Sequence, residues 1–185
     1  MIADVKKTAE QKMKKSLEAL RNDLAKVRTG RAHTGLLDHV MVDYYGTPTP
    51  VSQMAQVSTP EAQLILIQPW DPSVIKEIEK ALQTSDLGLN PQSDGKIIRV
   101  PIPPMTEERR RDVVKHVNKV LEEQRTAVRN VRRDGNDTLK KLAKDKKISE
   151  DEEKRALEEI QKLTDEEIKR MEEMAKRKEA EVMQV

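Results

Sequence analysis

From Met105 to about Lys147, apolar residues recur at steps of three, four, seven or eight, which places them on one stripe of a helix. An unbroken helix over this segment would be about 60 Å long. Thr106, Glu107 and Glu108 favour its start, because they offer an N-cap and an acidic first turn. A helix of this length cannot bury its own stripe, so other elements must pack along it. The stripe consists of Val113, Val117, Val120, Val128, Val131, Leu139 and Leu142.

Two other stretches show the same periodicity. Residues 2 to about 29 predict an amphipathic helix roughly 40 Å long, which ends at Thr29–Gly30 because glycine is a common C-terminal breaker. A third helix follows a turn at 146–149, where Ser149 and Glu152 predict a capping box. The turn is short, so the second and third helices are expected to be antiparallel neighbours. Three stripes without aromatic residues predict a narrow three-helix bundle with an aliphatic and methionine core.

The central segment, residues 31–104, has a different composition. It contains the three aromatic residues of the chain, Tyr44, Tyr45 and Trp70, together with most of the prolines and turn signals. The predicted elements are a strand over 40–45 with a turn and an extended edge at 46–50, a buried central strand at 64–67, a helix capped by Asp71 and Pro72 that ends near Gly88, turns at 90–91 and 94–95, and a last strand at 96–100. This segment therefore predicts a small module of strands packed with one helix.

These elements predict an α+β protein with two domains. Residues 1–30 and 105–185 are expected to form the long antiparallel three-helix bundle, and residues 31–104 a β/α/β domain inserted between its first two helices. The insertion follows because the first helix must pack on the other two.

Two short connectors join the predicted domains. One connector contains Gly30 and is expected to be flexible. The other is Pro101–Pro104, which is expected to be stiff and to lie beside the first. Short linkers with few crossing contacts make swivelling of the domains the default expectation. The alternative is a fixed joint held by the packing of Arg31 or Met105.

The charges are distributed asymmetrically, although the formal net charge is only +2. Residues 105–147 contain fourteen basic and eight acidic residues, whereas residues 148–185 contain eight basic and thirteen acidic ones. At about 100° per residue, Arg125, Arg129, Arg132 and Arg133 fall within an arc of roughly 100°, centred about 130° from the apolar stripe. We expect them to point outward as a basic ridge that binds phosphate. The alternative is an ordinary solvated helix face with i,i+4 ion pairs.

The sequence predicts no catalytic and no metal site. Cysteine is absent, which removes disulfides and thiol nucleophiles. The histidines His33, His39 and His116 lack ligand spacing, and neither a glycine-rich phosphate loop nor a Gly-x-Ser-x-Gly elbow occurs. No apolar run reaches the ~20 residues of a membrane span and no signal segment follows Met1, so we expect a cytoplasmic protein.

The adjacent tyrosines Tyr44 and Tyr45 are a further candidate site, because aromatic rings can stack on nucleic-acid bases. Neighbouring residues of a strand point to opposite faces. At least one of the two is therefore expected to lie in the core.

Five motifs, in order along the whole chain, resemble those of bacterial ribosome recycling factors. They are Lys-Val-Arg-Thr-Gly-Arg-Ala at 26–32, Asp-Tyr-Tyr-Gly-Thr-Pro-Thr-Pro at 43–50, Ser-Asp-Leu-Gly-Leu-Asn-Pro at 85–91, Arg-Val-Pro-Ile-Pro-Pro-Met-Thr-Glu-Glu-Arg-Arg at 99–110, and the arginine run at 129–137. One departure is Gly135, where the family more often has alanine; glycine there should cost the helix up to ~1 kcal/mol.

The resemblance implies an L-shaped molecule, with the bundle as domain I and the β/α/β sandwich as domain II. The family, together with elongation factor G and GTP, splits the post-termination ribosome into subunits, so that messenger RNA and deacylated transfer RNA leave. Domain I would lie across the peptidyl-transferase region of the large subunit and domain II would face elongation factor G. The factor itself hydrolyses nothing and needs no cofactor. The implied hinge residues are Thr29, Gly30, Arg31, Pro101, Pro103, Pro104 and Met105.

The arginine ridge and the resemblance together predict the contacts to ribosomal RNA. Arg132 is the first candidate, since an arginine offers planar donors to phosphate oxygens. The other candidates are Arg129, Arg133, Arg28, Arg31 and Arg125.

The alternative to a recycling factor is a helical scaffold that self-associates through its apolar stripes as a coiled coil. Sedimentation separates the two, because the recycling interpretation predicts a monomer.

Overall fold

The computed structural model describes residues 1–184, and these residues contain four α-helices and six strands. The helices are α1 (Ile2–Ala25), α2 (Ile75–Thr84), α3 (Glu107–Lys144) and α4 (Glu150–Met183). The strands are β1 (Met41–Tyr44), β2 (Thr47–Pro50), β3 (Ala55–Glu61), β4 (Leu64–Pro69), β5 (Gln92–Ser93) and β6 (Ile98–Pro101). The chain divides into two compact units: Met1–Thr29 with the chain from Glu107 onward, and Gly30–Thr106.

The first unit is a bundle of α1, α3 and α4, in which each helix contacts the other two. Arg132 bonds to Gln161 and Arg125 to Glu172, so residue numbers rise on α4 as they fall on α3. The two helices are therefore antiparallel. The core is aliphatic with methionine, and its largest fully buried apolar side chains are Met13, Leu20, Leu139, Ile160 and Met171. The predicted α+β class with a long antiparallel three-helix bundle is confirmed.

Helix α1 ends at Ala25, four residues before the predicted end. The Val27 amide donates to the Leu24 carbonyl oxygen over 3.1 Å, which closes a tight last turn. The Val27 side chain is buried although it lies outside the helix, so the apolar period continues past the helix end. Gly30 is consequently not the residue that stops α1, which corrects the prediction.

The loop between α3 and α4 is defined by hydrogen bonds at both ends. The Lys147 amide bonds to the Leu142 carbonyl over 2.9 Å while Lys146 has a φ of 56°, an arrangement that ends α3. Ser149 and Glu152 then form the predicted capping box at the start of α4. The hydrogen bond from the Ser149 amide lowers the pKa of the Glu152 carboxyl.

The second unit contains two antiparallel sheets and α2. One sheet has the strand order β3-β4-β6-β5, and the other consists of β1 and β2 alone. The central position of β4 agrees with the prediction of a buried central strand. Both sheets and α2 contribute to one apolar core, which includes Val42, Ile65, Ile67, Ile78, Leu82, Ile98 and Val100.

Strands β3 and β5 were not among the predicted elements, and α2 ends at Thr84 rather than near Gly88. Strand β3 is rich in polar residues and its register shifts between Ser58 and Glu61, so it lacks the alternation that identifies a strand. Pairing with β4, which is a tertiary interaction, holds β3 extended.

The Asp71 side chain accepts a hydrogen bond from the Ser73 amide, as expected of an N-cap, and this bond lowers the pKa of Asp71.

All three aromatic side chains are exposed: Tyr44 to 37%, Tyr45 to 79% and Trp70 to 68%. The expectation that one tyrosine lies in the core is therefore wrong. Tyr45 is not a strand residue, because it occupies the two-residue turn between β1 and β2.

Candidate nucleic-acid interface

The Arg125 side chain on α3 does not point outward, contrary to the prediction. One of its terminal nitrogens, Nη1, lies 2.6 Å from Oε1 of Glu122, and Nη2 lies 3.2 Å from Oε1 of Glu172 on α4. The side chain is only 24% exposed. Helix α3 packs against both α1 and α4, so the arc that it buries is wider than its apolar stripe and includes Arg125. Two carboxylates compensate the charge of this arginine within the bundle.

Arg132 lies where α3 meets α4 and is partly exposed. Its Nη1 donates a hydrogen bond to Oε1 of Gln161 over 3.2 Å, and Nε2 of Gln161 donates to Oδ1 of Asp165 over 2.9 Å. A guanidinium group has five N–H donors in a fixed plane. The bond to Gln161 orients this plane, and the remaining donors are available for another acceptor.

Arg129 and Arg133 lie within one turn of Arg132 on the same helix. Arg133 is exposed and Arg129 is partly exposed. The contact from Nη1 of Arg133 to Oδ1 of Asn130 is 3.5 Å long, which is the outer limit of a hydrogen bond.

None of these three arginines forms an ion pair within residues 1–184. Arg111, on the same helix, is paired with Glu107. We call Arg129, Arg132 and Arg133 the arginine surface. Its uncompensated positive charge on a long helix attracts a polyanion.

The two remaining arginine candidates fall on different compact units. Because α1 ends at Ala25, Arg28 lies in irregular chain of the helical unit, where it is exposed. Arg31 belongs to the unit Gly30–Thr106 and is partly buried. The structure thus brings together Arg129, Arg132 and Arg133 on one helix, whereas Arg28 and Arg31 lie outside that helix.

Two neighbours of the predicted hinge residues, Ala32 and Ile102, are held in the second unit by backbone hydrogen bonds. The Ala32 amide bonds to the Ala62 carbonyl over 2.7 Å, and the Ile102 amide bonds to the neighbouring Gln63 carbonyl over 2.8 Å. The two connectors therefore attach side by side to the turn between β3 and β4. Pro101 is the last residue of β6, opposite Leu64, so the last strand ends one residue later than the predicted end at residue 100.

Gly30 and Met105 approach each other closely within the second unit. Gly30 has a φ of +72°, in the region that favours glycine. A Cβ atom at this position would lie 3.2 Å from Cγ and 3.3 Å from the backbone nitrogen of Met105. Glycine suits this position because its φ is positive and because an added Cβ would press tightly against Met105.

No group of three or more histidine or acidic side chains within residues 1–184 could hold a metal ion. No helix among these residues combines the length and the apolar character needed to cross a membrane.

The partners of the arginines on α4, Gln161 and Glu172, were not found from the sequence. Which residues of α4 face a given residue of α3 depends on the relative axial position of two helices, and helical periodicity does not determine it. No signal in the sequence alone could have found Gln161. Glu172 could have been suspected only as an acid on the edge of the apolar stripe of α4.

An antiparallel three-helix bundle with an inserted α+β unit and an uncompensated arginine surface defines a class of helical protein that can bind a polyanion. The chain belongs to the ribosome recycling factor family. The sequence model of the family, described as "Ribosome recycling factor", matches residues 20–183. The family resemblance of the five motifs is thereby confirmed.

Individual relatives agree over the full length. A ribosome-recycling factor from Paraburkholderia phymatum is 55% identical over 184 residues, which cover 100% of this chain and 99% of the relative. A ribosome-recycling factor from Burkholderia mallei is 54% identical over 184 residues, with the same coverage.

Solved structures agree as well. A solution structure of the ribosome recycling factor has 45% identity and a TM-score of 0.82, and the match covers 100% of this chain and 98% of that one. A second structure describes the T. thermophilus ribosome recycling factor and E. coli elongation factor G bound to the E. coli post-termination complex. It has 47% identity and a TM-score of 0.67, and the match covers 100% of both chains.

Proposed function

We propose that this chain recycles ribosomes after translation termination. It binds the post-termination ribosome and, with elongation factor G and GTP, splits it into subunits, so that messenger RNA and deacylated transfer RNA are released. Family membership over nearly the whole chain supports this function. The observation that carries the binding step is the arginine surface, three guanidinium groups on one helix without carboxylate partners within residues 1–184.

The arginine surface contacts ribosomal RNA of the large subunit in this proposal. Folded RNA is recognised largely through its shape and its phosphates, and arginine binds phosphate oxygens with planar, paired donors. Arg132 is the leading contact because Gln161 already orients its guanidinium. Arg28 and Arg31 are secondary candidates. Arg125 is left out, because Glu122 and Glu172 already compensate its charge.

The second unit receives the force in this proposal. The bundle is anchored near the peptidyl-transferase region, and the unit Gly30–Thr106 faces elongation factor G. Movement of elongation factor G is transmitted through the second unit to the bundle. The movement of the bundle then breaks contacts between the ribosomal subunits. The proposed hinge comprises Thr29, Gly30, Arg31, Pro103, Pro104 and Met105. Pro101 is left out, because it belongs to β6 and is paired with Leu64. The hydrogen bonds of Ala32 and Ile102 favour bending in the connectors beyond these two residues, at 29–31 and 103–106.

The protein acts in this scheme as a monomeric binding factor and not as an enzyme. It supplies charge, rigidity and a jointed connection, while GTP is consumed by elongation factor G. No cofactor is needed for such a role. Its place of action is the bacterial cytoplasm, where ribosomes translate.

The direct test is light scattering of post-termination ribosomes mixed with this protein, elongation factor G and GTP. We expect the scattering to fall as ribosomes separate, and to stay constant when any one of the three additions is omitted. Ribosomes and elongation factor from one organism should be used, with a recycling factor of that organism as a positive control. A constant signal with this protein, beside a falling signal with the control, would contradict the proposed function.

A further inference from the structure

The turn between β1 and β2 has an unusual residue at its tip. Tyr45 and Gly46 are the only two residues of this turn, and their φ angles are 49° and 85°. Two consecutive residues with positive φ make a type I′ turn, whose first position favours asparagine, aspartate or glycine. A tyrosine is strained there, because its Cβ approaches the carbonyl oxygen in the left-handed region.

The Tyr45 side chain does not compensate for this strain inside the protein. It is 79% exposed, and its ring contacts the ring of Tyr44 edge to face, with centroids 4.7 Å apart. The turn is held instead by the Gly46 amide, which donates to Oδ1 of Asp43 over 2.8 Å. An exposed aromatic residue in a strained position that the fold does not need indicates a contact outside the chain.

The charges of the hairpin argue against a nucleic acid as that partner. Residues 41–50 contain no lysine or arginine, and their one charged residue is Asp43. The whole unit Gly30–Thr106 contains five basic and eight acidic residues. A surface without cations cannot replace the counterions of a phosphate backbone.

The backbone of the hairpin also excludes one mode of protein binding. Within residues 1–184, strand β2 pairs with β1 alone, so its other edge has no strand partner. That strand contains Pro48 and Pro50, which have no N–H group to donate to an added strand. A protein partner would therefore contact the side chains of the hairpin and not its backbone edge. The exposed aromatic side chains at the tip are Tyr44 and Tyr45.

We propose that Tyr45, braced by Tyr44, docks into an apolar cleft with a basic rim on a protein of the post-termination complex. A lysine or arginine at the rim would face the ring in a cation–π contact and pair with Asp43. This inference rests on the proposed function, because it places the partner in that complex. It adds a docking residue on the second unit to the RNA contacts of the bundle.

The test compares Tyr45→Asn with Tyr45→Phe. Asparagine suits the left-handed position, so Tyr45→Asn should melt at the same or a higher temperature than the parent protein while splitting ribosomes roughly tenfold more slowly. Phenylalanine keeps the ring, so Tyr45→Phe should split them at nearly the parent rate. If Tyr45 had a purely structural role, Tyr45→Asn would melt at a lower temperature than the parent protein and would split ribosomes at the parent rate. Splitting by Tyr45→Asn at the parent rate would overturn the proposal.

Cross-linking identifies the class of partner. The probe is the full-length protein with a photoreactive benzoylphenylalanine in place of Tyr45, bound to post-termination ribosomes with elongation factor G. A covalent product with a protein supports the proposal, and a product with ribosomal RNA or no product overturns it. If the parent protein failed to split ribosomes at all, the proposed function would be lost. The cross-link would still decide separately whether Tyr45 meets a protein.

Discussion

The Nη1 atom of Arg132 donates a hydrogen bond to Oε1 of Gln161, 3.2 Å away on the antiparallel helix. The bond links α3 to α4 and holds one edge of the guanidinium over the second helix. The rotamer freedom that a free arginine loses on binding is thereby reduced before the ligand arrives. Gln161 is thus a positioning residue for the proposed RNA contact.

Replacing Arg132 with alanine should weaken binding to the large ribosomal subunit roughly tenfold, because a hydrogen-bonded charge to phosphate is lost. The slope of log affinity against log salt concentration should fall by about one, as expected for one phosphate contact. Sedimentation of the protein with large subunits at several salt concentrations measures both quantities.

Arg111→Ala is the matched control, because Arg111 lies on the same helix but is already paired with Glu107. Its affinity and salt dependence should remain those of the parent protein. Circular dichroism should show unchanged helicity for both variants. Equal affinity of Arg132→Ala and the parent protein would remove the arginine surface from the mechanism.

Replacing Pro103 and Pro104 with glycine should slow ribosome splitting severalfold while affinity for the large subunit stays the same. Proline fixes φ, whereas glycine adds conformations that absorb motion in the connector. Stopped-flow light scattering with elongation factor G and GTP measures the rate. The splitting rate of the corresponding double alanine variant should lie between those of the parent protein and the double glycine variant, because alanine is stiffer than glycine. A normal rate for the glycine variant would mean that the stiffness of this connector has no part in splitting.

Replacing Gly135 with alanine should raise the free energy of unfolding by up to ~1 kcal/mol, since glycine is a poor residue inside a helix. Gly135 is buried, and an added Cβ would lie 3.1 Å from Cδ1 of Ile160 and 3.9 Å from Cγ1 of Val5. The nearer atom is the terminal methyl group of a buried side chain, so the stabilisation requires that Ile160 shifts by a few tenths of an ångström. Urea denaturation followed by circular dichroism measures the change. A destabilised Gly135→Ala that Ile160→Val restores would show instead that this contact outweighs helix propensity.

The capping box at the start of α4 predicts a pH dependence of stability. The bond from the Ser149 amide lowers the pKa of Glu152 below its ordinary value of 4.5, so the folded state favours the ionised carboxylate. The resulting stabilisation is complete above pH 4.5 and is lost as the pH falls through the pKa of the folded state. Glu152→Gln should therefore be less stable than the parent near neutral pH, and the difference should shrink in acid.

Thermal melts across this pH range test the capping prediction. Glu150→Gln is the control, because it removes a charge from the same helical turn without touching the cap. A constant difference between Glu152→Gln and the parent protein at all pH values would contradict the link between the cap and the carboxylate.

Local signals in the sequence predicted much of the fold. Ser149 and Glu152 form the expected capping box because both partners lie within four residues of each other. Leu64–Ile67 could be recognised as part of a central strand from its continuous apolar run. Strand β3 could not, since only its pairing with β4 keeps its polar residues extended.

The candidate site was less predictable, and Arg125 shows why. Its angle on α3 differs little from those of Arg129 and Arg132, so helical periodicity groups all three. The difference comes from Glu172, which belongs to another helix and is 47 residues further along the chain. A one-helix projection contains no information about such a neighbour.

The location of Trp70 in the second unit has a consequence for spectroscopy. It is the only tryptophan of the chain and belongs to the unit Gly30–Thr106, whereas most helical residues belong to the bundle. Its intrinsic fluorescence therefore reports denaturation of the sheet-containing part, while far-ultraviolet circular dichroism reports mainly the helices. Superimposable curves from the two probes would indicate one cooperative transition, and displaced curves would give each part its own midpoint.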